Sequence, residues 1–187
     1  KNTGIDTAET TPLKTENGMA HYHSFNFTNL QPNTLYVYRV GSKNNWSEWF
    51  QFKTASTEAE FFSFIYFGDG QNNLLSMWSR VVRSAFTDAP KARFLIHAGD
   101  LVNSGNNDTQ WGEWFLAGGW LNAMIPSIPT PGNHDYPREI TSKRRLSRLW
   151  QPHFTLPHSI PGLEETVYSI DFQGTRIISL NSNEKIQ

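Results

Sequence analysis

The stretch Phe61–Asn73, "FFSFIYFGDGQNN", decides the fold. Its first seven residues form an uncharged, largely apolar run, the pattern of a strand buried on both faces. Gly68 and Asp69 stop the run. Leu74, Leu75, Trp78, Val81, Val82 and Phe86 then recur at helical spacing. Strand, Gly-Asp turn and helix make the first unit of a layered α/β sheet. The same order returns in "RFLIHAGDLVN" (93–103), and "SIPTPGNHD" (127–135) is a third short strand running into a polar loop. Between them, "DTQWGEWFLAGGWLNAMI" (108–125) is mostly helical in pattern, with Asp108 as the expected N-cap. "REITSKRRLSRLWQPHF" (138–154) is expected to be helical in part, and "VYSIDFQGTRIISLNS" (167–182) to be a hairpin turning at Gln173-Gly174.

Upstream the character is different. "HYHSFNFTNL" (21–30) alternates in the manner of a strand, "QPNT" (31–34) is a turn, and "LYVYRVG" (35–41) and "SEWFQFKT" (47–54) are two more strands. No helical pattern occurs there. Residues 1–56 are therefore expected to form a β domain, and residues 57–187 an α/β domain.

Composition excludes several classes. The 187 residues are 37% hydrophobic and 18% charged, which places the chain among folded globular proteins. The net charge of −1 carries no basic excess, so nucleic acid is not an expected partner. Apolar runs are strand-sized, so no membrane span is expected. There is no cysteine, which removes disulfides and thiolate chemistry. Any metal must be held by oxygen and nitrogen.

Three strand ends carry polar groups suited to holding a metal in that way. They are Asp69 and Gln71, Asp100 and Asn103, and Asn133, His134 and Asp135. Each set follows a Gly that lets the chain turn sharply, at the sheet edge where α/β folds bind ligands. Two carboxylates aimed into one crevice repel each other unless a cation separates them. One carboxylate can bridge two ions about 3.5–4 Å apart. An amide oxygen adds a neutral hard ligand, and an oxygen-rich set suits Mn, Fe, Zn or Mg.

"GDGQ" (68–71), "GDLVN" (99–103) and "GNHD" (132–135) together resemble the first three blocks of the calcineurin-like metallophosphoesterases. "LQPNTLYVYRV" (30–40) resembles the fibronectin-III-like domain that precedes the catalytic domain of purple acid phosphatases, with Tyr36 in the place of a corner tyrosine. "TVYSIDFQGTRIISLNS" (166–182) is similar to that family's stretch after the third block. The resemblance implies a partial fibronectin-III-like sandwich followed by the N-terminal half of a metallophosphoesterase sandwich.

It also implies hydrolysis of phosphate monoesters by attack of a metal-activated hydroxide. Asp69 would bind the first of two metal ions (Fe, Mn or Zn), Asp100 would bridge both, and Asn133 would bind the second. Gln71 and Asn103 are further ligand candidates. His134 and Asn133 would meet the phosphate, His134 acting in catalysis with Asp135 orienting it. Purple acid phosphatases carry Tyr where this chain has Asn103, so no purple colour is expected. The remaining His ligands of the family are expected beyond Gln187, and this chain alone is expected to bind metal poorly and turn over little. A phosphodiesterase or nucleotidase on the same scaffold is one alternative, and a non-catalytic secreted binding protein with a decayed site is another. Secretion, a periplasmic home or display at the cell surface follows from the resemblance, and pairing into a homo-oligomer through exposed sheet edges is expected.

Other residues have plainer expectations. His97 is packed or near the site, while His21, His23, His153 and His158 are surface or packing residues. Trp111, Trp114 and Trp120 are core, and "KRRLSR" (143–148) is a solvated helix face. Asn26, Asn45 and Asn107 each begin an N-x-Ser/Thr triplet.

Overall fold

The computed structural model describes residues 4–137 and 144–184. The β domain opens with a hairpin of β1 (Glu9–Thr15) and β2 (Gly18–Ser24), paired antiparallel over their full length. Sequence periodicity does not reveal β1, whose first four residues are all exposed and whose burial is confined to Leu13 and Thr15 at its end. The strand expected over 21–30 ends at Ser24. Phe25 and Phe27 turn instead into an aromatic cluster with Tyr38 and Phe52. β3 (Leu35–Tyr38) pairs with β6 (Phe50–Lys53), and the short β4 (Gly41–Ser42) and β5 (Asn45–Trp46) form a minor hairpin between them. Tyr36 closes back on the chain. Its hydroxyl accepts the Gln31 N–H at 2.8 Å, the bond expected of a corner tyrosine.

The second domain is built on β7 (Ser63–Phe67), β8 (Ala92–His97) and β9 (Ser127–Pro129), paired in parallel in that order. Phe67, His97 and Pro129 are register partners across the sheet. Their strands therefore end level, and the three polar loops leave from one edge.

One face of this sheet packs on helices. A single π-helical turn, Leu74–Trp78, leads into α1 (Ser79–Asp88). Leu74, Trp78 and Val82 face inward, whereas Leu75 and Val81 lie about half exposed. α2 (Asp108–Gly118) adds Trp111 and Trp114, both fully buried, and α3 (Trp120–Met124) follows after Gly119. Trp120 departs from the expected core cluster. It is 50% exposed and rests edge-on against Phe86. α4 (Trp150–His153) buries Trp150 against Trp111. The other sheet face receives a hairpin of β10 (Tyr168–Phe172) and β11 (Thr175–Ser179). Gln173 and Gly174 both take positive φ, 45° and 82°, as a two-residue hairpin turn demands. Tyr168, Ile170, Phe172 and Ile177 close this face with Phe94 and Ile128.

The start of the segment expected to be helical, residues 138–143, lies outside the described residues. Its described part is not a solvated helix. Ser147 is buried, with its hydroxyl on the Gly105 carbonyl and on Asn106 Oδ1, and its N–H on the Asp135 carbonyl. Helix geometry begins only at Trp150.

The expected cap of α2 shifts by one residue. Asn107 is the N-cap, its Oδ1 accepting the Gln110 N–H at 3.0 Å, and that use ties up the amide of one N-x-Thr triplet. Asp108 is the first helical residue and binds the β1–β2 hairpin. Its carboxylate accepts from Thr15 at 2.9 Å, from Asn17 at 3.3 Å and from the Tyr22 hydroxyl at 3.3 Å, while its own N–H donates to Glu16 at 2.6 Å. Burial and the Asp108 charge push the Tyr22 hydroxyl up to about 12.

His97 is buried in this core. It stacks on Phe67 and meets Trp114 edge-on, and its Nε2 has no hydrogen-bond partner among the described residues. Burial lowers it to about 4, and burial does the same to His153 beside Trp111. An unfolded imidazole titrates near 6.5. Above that pH both states are neutral and pH has no effect through these groups. Below it the unfolded chain takes up protons first, so stability falls as pH drops from about 6.5 to about 4, by about 3 kcal/mol for His97. In thermal unfolding, His97→Phe is expected to narrow the gap between midpoints at pH 7 and pH 4.5. An unchanged gap would remove His97 as a source of the acid sensitivity.

Candidate functional site

Asp69, Asp100 and Asn133, from the ends of the three parallel strands, line one cleft of about 500 Å³. Thr130, Ser182 and Asn183 add to its polar lining, and Tyr66, Ile178 and Leu180 form an apolar side.

The loops after β8 and β9 touch at their backbones. Gly99 has φ +93°, and a Cβ there would stand 2.7 Å from Gly132 Cα. A Cβ on Gly132 would stand 2.2 Å from Asp100 Oδ1. Asp100 itself adopts φ 52°, a left-handed conformation held by two bonds. Its Oδ1 accepts the His134 N–H at 2.7 Å, and its N–H donates to Asp135 Oδ2 at 3.1 Å. Each loop thus offers a carboxylate to the backbone of the other. The second oxygen of Asp100 has no partner among the described residues and stays available to the cleft.

His134 is oriented by main chain. Its Nδ1 lies 2.7 Å from the Asn103 carbonyl, which can only accept, so Nδ1 carries the proton and Nε2 is the exchangeable nitrogen. The Gly105 N–H fixes the His134 carbonyl at 3.0 Å. Arg144 sets a guanidinium 2.8 Å from the Asn133 carbonyl, a cation next to a cleft whose charged lining is Asp69 and Asp100.

Three expectations change here. Asp135 does not orient the His134 ring. It is fully buried, and its Oδ2 holds the Gly132 N–H at 2.8 Å and the Asp100 N–H. It ties the two loops together and is not on the cleft wall. Burial pushes its carboxyl up to about 7, against the pull of the Gly132 N–H. Gln71 is absent from the cleft wall, and its Oε1 is buried without a hydrogen-bond partner among the described residues. Asn103 reaches the site through its backbone carbonyl, not its side chain. Asn183 also lines the cleft, and no sequence signal points to it, since nothing marks a lone Asn after a hairpin.

No group of three or more His, Cys, Asp or Glu side chains is gathered for a metal ion among the described residues. The cleft instead offers two carboxylates and two amides. That donor chemistry fits a hard cation, as one share of a larger ligand set.

Calcineurin-like phosphoesterases match residues 66–177, the span that contains all three loops. The chain belongs to that family. The N-terminal domain of purple acid phosphatases matches residues 1–54. Acid phosphatase type 7 from Danio rerio is 30% identical over 166 residues, covering 87% of this chain and 34% of its own length. Its counterpart from Mus musculus is 29% identical over 169 residues, with 87% and 35% covered. The chain thus spans about a third of the length of these relatives. The purple acid phosphatase PPD1 of yellow lupin seeds shares the fold with a TM-score of 0.66 at 21% identity, over 88% of this chain and 35% of that one. The architecture is an N-terminal β domain of the purple acid phosphatase type followed by a metallophosphoesterase domain.

Proposed function

We propose that this calcineurin-like phosphoesterase hydrolyses phosphate monoesters, with Asp69, Asp100 and Asn133 holding cations and His134 moving the proton. The observation that carries the reading is that Asp69, Asp100 and Asn133, from three level strand ends, line one cleft. His134 is not on that wall but follows Asn133 directly, with its ring oriented by the Asn103 carbonyl. Two hard metal ions, when bound, supply the charge that polarises the phosphoryl group and activates its attacker. The rest of the work falls to protein groups. Hydrolysis breaks the bond from phosphorus to the leaving oxygen, and that oxygen must gain a proton. With Nδ1–H fixed on Asn103, a second proton on His134 resides at Nε2 and is given from there. Asn133 brings an amide to the cleft, and the Arg144 guanidinium on its carbonyl supplies a positive charge that would attract a phosphate dianion. Export from the cytoplasm belongs to the same reading. No described helix is long and apolar enough to cross a membrane.

The test is His134→Ala in the full-length protein that carries this sequence. Turnover of p-nitrophenyl phosphate is expected to fall about 10²–10⁴-fold with metal content unchanged. Loss of bound metal with the imidazole would overturn the role given to His134. Faster turnover of bis(p-nitrophenyl) phosphate by the unmodified protein would move the reading to a phosphodiesterase.

A further inference from the structure

We infer that Asn183 is a further neutral oxygen donor of the cation site, a role that no part of the three strand-end motifs predicts. Asn183 stands on the cleft wall with Asp69, Asp100 and Asn133. The orientation of its amide is fixed. Nδ2 donates to the Pro131 carbonyl at 3.1 Å and to Asn181 Oδ1 at 3.4 Å, and the Asn183 N–H donates to the same Asn181 oxygen at 3.0 Å. Carbonyl oxygens only accept, so the nitrogen of the amide must face them. Asn181 cannot flip to relax this arrangement, because the Asn183 backbone N–H only donates and needs the Asn181 oxygen; the Asn181 Nδ2 then donates to the buried Tyr136 hydroxyl at 2.7 Å. The remaining atom, Asn183 Oδ1, has no partner among the described residues.

A chain of hydrogen bonds from the core thus ends on an unpartnered oxygen in a cleft that already holds two carboxylates. A neutral oxygen there adds a ligand to a hard cation without adding to the repulsion between Asp69 and Asp100. Asn181 acts through Asn183, as the group that holds the amide in place.

The inference rests on the cation-dependent reading of the site, and its test does not depend on turnover. Mn²⁺ binding to the full-length protein is measured by calorimetry, alongside the rise in unfolding midpoint that saturating Mn²⁺ produces. Asn183→Ala is expected to weaken Mn²⁺ binding by about 10–100-fold and to shrink that rise. The rise is compared within each protein, so a variant that is less stable without metal still reports. Asn181→Leu, which frees the amide, is expected to show a smaller loss of the same kind. Wild-type Mn²⁺ affinity and an undiminished rise in Asn183→Ala would overturn the role of Asn183. Mn²⁺ binding without phosphatase activity in the unmodified protein would overturn the proposed reaction and leave the Asn183 result standing. Absence of Mn²⁺ binding in the unmodified protein would overturn both.

Discussion

Asp100→Ala in the full-length protein is expected to lower phosphate-ester turnover by about 10³-fold or more. The residue does two jobs. Its free oxygen supplies negative charge to the cleft, and its bonded oxygen holds the His134 backbone. Alanine removes both, so by itself it does not separate them. Asp100→Asn does. The amide keeps an Oδ1 to accept the His134 N–H, and loses the charge together with the free oxygen, which becomes an NH2 donor. It is expected to fold with the stability of the unmodified protein and still to lose most of its turnover. A variant with Asn at 100 that keeps near-normal release of p-nitrophenol would show that the charge is dispensable, and the cation-based reading of the cleft would fail.

Gly132→Ala is expected to destabilise the protein by about 3 kcal/mol and to remove activity, although no functional atom is changed. The added Cβ would stand 2.2 Å from Asp100 Oδ1 and 2.4 Å from Asp100 N. Neither is the far end of a flexible side chain. Asp100 is pinned by Asp135 and by the His134 N–H, so relief requires the two loops to part. The control is Gly112→Ala in α2, where a Cβ meets nothing within 4 Å and helix propensity favours alanine by about 1 kcal/mol. Thermal unfolding and turnover on both variants check the pair. Wild-type turnover in Gly132→Ala would show that the loops do not need to touch.

The parts of the site legible in the sequence are those written by local rules. A buried strand announces itself as an apolar run, and a Gly-polar pair after it announces a turn at the sheet edge. Asp69, Asp100 and Asn133 are legible that way, and the parallel register brings them together. What escapes depends on partners distant in the chain. Asp135 belongs to a motif whose neighbours face the cleft, yet its side chain goes inward to Gly132 and Asp100, which no spacing discloses. Asn183 is defined by Pro131, 52 residues away. Asp108 looks like a cap by type and place, but Asn107 takes that bond because the hairpin claims the Asp108 carboxylate. Ser147 sits in a basic run that suggests solvent, and a buried bond to Gly105 decides otherwise.

The grip of the β1–β2 hairpin on Asp108 also bears on how separable the two domains are. Asp108 opens α2, and the preceding loop carries Asn103, whose carbonyl aims the His134 ring, and Gly105, whose N–H holds the His134 backbone. The N-terminal module therefore braces the far side of the loop that sets the imidazole, through Thr15, Glu16 and Tyr22. It is not an interchangeable appendage. A chimera that grafted this phosphoesterase half onto another β module would have to rebuild those contacts before the imidazole recovered its aim.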